Sequence, residues 1–139
     1  MSTTTDVQHA PVPVKGGLVA YLALDGALKA ANFYIRAFGA EQASAFAPDD
    51  QGRTMHVHLY VNGSSLMLSD FYPEHGHPLQ APQGYTMTLI VDDIEAWWTR
   101  AVEAGATPVM PPTDMFWGDR YAQVRDPFGV LWAMNCQAR

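Results

Sequence analysis

The stretch Leu18-Val-Ala-Tyr-Leu-Ala-Leu-Asp25, continued by Gly26-Ala-Leu-Lys-Ala-Ala-Asn-Phe-Tyr-Ile-Arg-Ala-Phe38 and closed by Gly39-Ala40, decides the fold because the chain writes it twice. Its echo is Tyr85-Thr-Met-Thr-Leu-Ile-Val-Asp92, a second helical pattern, and Ala104-Gly105-Ala106. In each copy an apolar run of strand length reaches an aspartate whose side chain is suited to accept an orphan N–H at a helix start. In each copy a glycine then stands where a left-handed residue ends a helix. Asp25 and Gly39 are 14 positions apart, Asp92 and Gly105 are 13 apart. Between these marks Leu28, Ala31, Ile35 and Phe38 share one helical face, as do Ile94, Trp97, Trp98 and Ala101, so each helix is expected to lie on a sheet.

Outward from these helices the two copies continue alike. After the first come strand-like runs at 41–47, 54–61 and 64–70, the last two joined by Asn62-Gly63, a pair suited to the positive φ of a tight hairpin turn. After the second come 107–110, a loop, 119–125, the turn Asp126-Pro-Phe-Gly129, and 130–135. Each copy reads strand, helix, strand, strand, strand. Module one is expected over 18–70 and module two over 85–135, within one domain at 15–139. A Pro-, His- and Gly-rich linker at 71–84 joins them, and residues 1–14 are expected to form a mobile tail.

With 139 residues the chain is long enough to bury a single core. Its net charge of −6 and scattered Lys and Arg argue against nucleic acid and anionic membranes as partners. No apolar run approaches the roughly 20 residues of a membrane span. The first residues lack a basic start followed by an apolar block. Cys136 is the only cysteine, so an internal disulfide is excluded. A cytoplasmic location is expected.

The quoted helix motif Asn32-Phe33-Tyr34, with Phe38-Gly39-Ala40 and Val124-Arg-Asp-Pro-Phe-Gly129, resembles the vicinal oxygen chelate superfamily, which includes glyoxalase I, bleomycin-resistance proteins and extradiol dioxygenases. Ser65-Leu-Met-Leu-Ser-Asp70, Val109-Met-Pro-Pro112 and Phe116-Trp-Gly-Asp-Arg-Tyr121 resemble its PhnB-like branch. The resemblance implies an α+β fold of two tandem βαβββ modules, whose curved mixed sheets surround a concave cavity, and it implies a homodimer. Because this fold hosts many chemistries, function has to be argued from the site.

Hairpin counting assigns the faces. A two-residue turn at Asn62-Gly63 sets Tyr60 opposite Ser65, His58 opposite Met67 and His56 opposite Ser69. His56, His58, Tyr60, Ser65, Met67 and Ser69 then share one face, and Val57, Leu59, Val61, Leu66 and Leu68 the other. The apolar face should lie under the helix, and the mixed face should line the cavity together with Tyr21. A four-residue turn at 126–129 would set Ala122 opposite Ala133 and Arg120 opposite Asn135, making Arg120 the counterpart of His56 in that cavity. Phe116 and Trp117, in the loop before this strand, would cap it.

Metal-using members of the resembled family take a ligand from the first and last strand of each module. The matching positions here are Val19, Met67, Thr86 and Ala133, which offer no hard donor beyond one hydroxyl. The expectation is a protein without metal or other cofactor that binds a small molecule, an aromatic or cationic compound, and sequesters it. The alternative is an enzyme of lyase, isomerase or dioxygenase type. It would use His56 or His58 as general base, with Arg120 holding an anionic oxygen, or His56 and His58 as relocated metal ligands.

Overall fold

The computed structural model describes residues 12–138. Among them, eight strands and two α-helices follow the order β1 (Ala20–Leu24), α1 (Ala27–Phe38), β2 (Glu41–Ala45), β3 (Val57–Val61), β4 (Ser64–Asp70), β5 (Met87–Ile90), α2 (Ile94–Ala104), β6 (Thr107–Asp114), β7 (Arg120–Arg125) and β8 (Leu131–Cys136). The linker carries one 3-10 turn at Pro73–His75. Two four-stranded sheets result, ordered β1-β4-β3-β2 and β5-β8-β7-β6, so each module is a βαβββ unit with one parallel pair. The fold is α+β, and its sheets are curved but not closed. No described helix is long and apolar enough to cross a membrane.

The Asn62-Gly63 hairpin forms as its chemistry demands, with φ of 50° and 83° at the two turn residues. Val61 pairs with Ser64, Tyr60 with Ser65 and His58 with Met67. The regular ladder stops at Val57 opposite Leu68, and Asp70 N–H then donates to the Thr54 carbonyl. Two residues, Met55 and His56, thus oppose Ser69, and this bulge shortens β3 from the expected start at 54.

The second hairpin departs from its expected register. Arg125 pairs with Leu131 rather than Val130, so five residues rather than four separate the strands, with Asp126 N–H donating to the Val130 carbonyl inside the loop. Arg120 consequently pairs with Cys136 and Ala122 with Met134, not with Asn135 and Ala133. A one-residue shift exchanges the faces of a strand. Ala122, Val124, Trp132 and Met134 are buried toward α2, while Tyr121, Gln123 and Asn135 form the opposite wall.

The helix starts also correct the sequence reading. The cap of α1 is Gly26 at φ 102°, not Asp25, and the carboxylate of Asp70 accepts the N–H groups of Gly26 and Ala27. The α2 cap is Asp93, one residue after Asp92, with its side chain accepting from Ala96 N–H. Strand β6 is longer than expected, running through Pro108, Pro111 and Pro112. It tolerates them because it lies at the sheet edge, with register breaks between Pro108 and Met110 and between Met110 and Thr113.

Helix α1 is buried on more than the one expected face. Ala27, Ala30, Ala31, Phe33, Tyr34, Ala37 and Phe38 are all inaccessible, whereas Leu28 and Ile35 are only half-buried. The reason is that α1 serves both modules: Trp132 of β8 packs 4.5 Å from the Phe38 ring and 5.1 Å from the Tyr34 ring, measured between centroids.

Candidate functional site

Module one presents a row of rings on its open face. Along β1 and β4, Tyr21 stands beside Met67, and across β4 and β3 Met67 stands beside His58. Ring centroids run Phe46–His56 at 5.3 Å, Tyr21–His56 at 5.6 Å, His56–His58 at 6.5 Å and His58–Tyr60 at 5.1 Å. Phe46, at the end of β2, was not among the residues singled out from sequence, and the β2–β3 pairing brings it there: Phe46 N–H donates to the His56 carbonyl. Met55, pushed out by the bulge, flanks the row and is exposed.

Two hydrogen bonds fix the imidazoles. His56 Nδ1 lies 2.7 Å from the Tyr21 hydroxyl, which also reaches the Met55 carbonyl at 3.0 Å. His58 Nε2 lies 2.7 Å from Ser65 Oγ. Partial burial raises the Tyr21 hydroxyl above its ordinary value, so it stays protonated at neutral pH. His58 is only 2% exposed, and burial, then the neighbouring His56, lower its pKa, which favours the neutral ring. Ser69, half-buried at the far end, turns its hydroxyl to the Asp70 carbonyl.

A cavity of about 820 Å³ adjoins this row between the edge strands β1 and β5. Leu22, Leu66, Leu89 and Trp132 line it, with Tyr21 and Tyr85 among its other residues.

Arg120 does not join the row. The five-residue loop turns it to the helix side, where Nε bonds Glu95 of α2 at 2.9 Å and Nη1 bonds Asp114 at 2.9 Å. In its place on the open wall of module two stands Tyr121, whose hydroxyl accepts from Gln123 Nε2 at 3.1 Å. Phe116 and Trp117 occupy the β6–β7 turn. Phe116 is 97% exposed, the two rings meet edge-on at 4.9 Å, and Trp117 lies 6.4 Å from Tyr121. They therefore belong to the wall of module two.

The four positions that match the resembled family's metal ligands can be placed. Val19 and Thr86 line the inter-module cavity, Met67 adjoins Tyr21 in β4, and Ala133 adjoins Thr88 in β8. An isopropyl group, a thioether, a secondary hydroxyl and a methyl group do not fit a divalent cation, which wants imidazole or carboxylate donors. Elsewhere among the described residues no three His, Cys, Asp or Glu side chains converge.

Comparison with known proteins agrees with this architecture. The family model of the glyoxalase/bleomycin resistance protein/dioxygenase superfamily matches residues 21–134. An uncharacterised protein of Mycobacterium bovis is 36% identical over 134 residues, spanning 92% of this chain and 88% of its own length. The crystal structure of PA1353 from Pseudomonas aeruginosa superposes with a TM-score of 0.72 at 28% identity, covering 88% of this chain and 98% of that one. The PhnB protein from Bacillus cereus, at 19% identity and a TM-score of 0.63, covers 88% and 100% and shares the fold. The chain is thus a member of the glyoxalase/bleomycin resistance protein/dioxygenase superfamily, the vicinal oxygen chelate group that its repeated strand–helix pattern resembles.

Proposed function

We propose that this protein binds a planar aromatic small molecule on the open face of module one, without metal, and holds it without transforming it. The observation that carries this reading is the continuous row Phe46, Tyr21, His56, His58 and Tyr60, with Met67 between Tyr21 and His58 and Met55 at the flank. The accessible rings of Phe46, Tyr21, His56 and Tyr60 offer stacking and edge contacts to a flat ligand, and the thioethers adapt to its outline. The donor-poor Val19, Met67, Thr86 and Ala133 support a site that works through surface contact rather than Lewis-acid chemistry.

The test is calorimetric titration with a panel of planar aromatic compounds, joined to NMR of the imidazole nitrogens. A binder should shift His56 and His58 together. A panel in which no compound moves either ring would overturn the proposal. Tryptophan fluorescence is the poorer probe, because none of the four tryptophans lies in the row.

The second reading is a metal-free enzyme, favoured by the 2.7 Å contact of Tyr21 and His56, a pair fit to relay a proton. It lacks the anion-holding Arg120. His56→Ala that abolishes turnover of a bound compound while leaving its affinity within about threefold would establish it.

The proposed assembly is a homodimer in the cytoplasm. Exposed apolar side chains on both modules, Leu18, Tyr21, Phe46, Ile90, Phe116 and Trp117, support a second copy completing the cavity. Light scattering that returns the mass of one chain would count against it. The single cysteine supports a reducing compartment.

A further inference from the structure

The segment entering β1 lies across the Tyr60 end of the aromatic row. The Tyr60 hydroxyl donates to the Pro13 carbonyl at 2.6 Å. Lys15 N–H donates to Ser65 Oγ at 2.8 Å, and the Lys15 carbonyl accepts from Ser65 N–H at 3.0 Å. Ser65 Oγ is also the partner of His58 Nε2, so this strap is wired to the buried imidazole. The Lys15 ammonium sits 4.0 Å from the centre of the Tyr60 ring. Among the described residues it makes no ion pair, although the chain carries a net charge of −6.

The connection to β1 is glycine-rich and makes few side-chain contacts. Gly16 has φ of 100°, a Cβ at Gly17 would touch nothing within 4 Å, and Leu18 is 96% exposed. Two consecutive glycines, an exposed leucine and the half-buried Val19 separate the strap from the first strand residue, Ala20.

We propose that Lys15 is a built-in occupant of a cation subsite on the Tyr60 ring, and that the ligand is a planar aromatic cation whose charged group displaces it. This rests on the ligand-binding reading above and adds the ligand's charge and the order of events. An ammonium or iminium group on the ligand would replace one cation–π contact by another of similar strength, while the ring body stacks along His58 and His56. Leaving, the strap pivots at Gly16-Gly17 and uncovers Ser65 and His58.

The test uses the full chain and two probes, the planar cation proflavine and the planar neutral acridone. Lys15→Met should bind proflavine about fivefold more tightly than the unaltered protein, with acridone changed less than about twofold, and Lys15→Arg should behave as the unaltered protein. Saturating proflavine should also speed tryptic cleavage of the Lys15–Gly16 bond, read by mass. Equal gains for both probes in Lys15→Met would overturn the cation subsite, leaving only a cover. Slower cleavage with proflavine would overturn displacement. Acridone binding without proflavine binding in any variant would overturn this inference and leave the binding reading standing. Failure of both probes in every variant, with no response from the wider aromatic panel, would overturn both.

Discussion

The hydroxyl of Tyr34, in the first helix of module one, donates to the carboxylate of Asp126, in the last loop of module two, 92 residues away. The same carboxylate accepts from Trp132 Nε1 at 3.0 Å, from Phe128 N–H at 2.8 Å and from Val130 N–H at 2.9 Å. One buried side chain therefore closes the five-residue loop and clasps the other module. Burial, reinforced by the Asp126 charge, holds the Tyr34 hydroxyl well above its ordinary pKa, so it remains a donor.

Asp126→Ala removes the buried carboxylate and orphans its four donors, three of them in fully buried bonds. It should cost about 3–5 kcal/mol, and Tyr34→Phe about 1.5–3 kcal/mol, by urea denaturation. The unaltered protein should unfold in a single transition, because neither module buries α1 alone. Two separated transitions in the unaltered protein would contradict the clasp.

Asp70 plays the corresponding role within module one. Its Oδ1 takes the Gly26 and Ala27 N–H groups at the start of α1, and its Oδ2 takes the Thr54 N–H at 2.9 Å. Asp70→Asn keeps one acceptor oxygen but turns an NH2 group toward an N–H, so about 1–3 kcal/mol should be lost. The bulge at Met55 and His56 should loosen with it, seen as faster amide exchange at Thr54.

An acid-sensitive strut braces the loop before His56. Arg53 bonds Glu74 through both terminal nitrogens and Asp49 through Nε. Hydrogen bonding to Arg53 lowers the Glu74 pKa from 4.5 to about 2. A carboxylate with a depressed folded-state pKa stabilises fully above its unfolded value and progressively less as pH falls toward the folded one. Glu74→Gln should therefore lower the urea midpoint near pH 6, and the difference should close between about pH 4.5 and pH 2. A gap that persisted at pH 2 would refute the assignment.

Arg120→Met separates the two faces of β7. Because Arg120 pairs with Glu95 and Asp114 on the helix side in a solvent-screened setting, its loss should leave the urea midpoint nearly unchanged. It should leave affinity for any ligand of module one unchanged in calorimetry. A tenfold loss of affinity would return Arg120 to the site.

How far the sequence could be read follows from which contacts are local. The Asn62-Gly63 turn encodes its own φ angles, and from it the pairing of His58 with Met67 and of Tyr60 with Ser65 follows. Asp126-Pro-Phe-Gly129 looks like a four-residue turn, yet its register depends on Val130 closing the loop, and that one residue carried Arg120 to the wrong wall. Asp25 is the cap that local sequence offers for α1, but Asp70 arrives there from a strand end that only the folded sheet brings near. Phe46 entered the row and Lys15 crossed it through long-range pairing, with no periodicity to announce either.

Strands β1 and β5 each hydrogen-bond to one neighbour only, so among the described residues each leaves an outer edge without a strand partner. Bare edges are templates on which foreign chains can polymerise. In dilute neutral buffer the surplus of acidic side chains, 14 against 8 basic, keeps molecules mutually repelling. Acidification toward the carboxylate range strips that repulsion away while the edges stay as sticky as before. Precipitation on mild acid titration, reversed by alkali, is the colloidal signature this architecture carries.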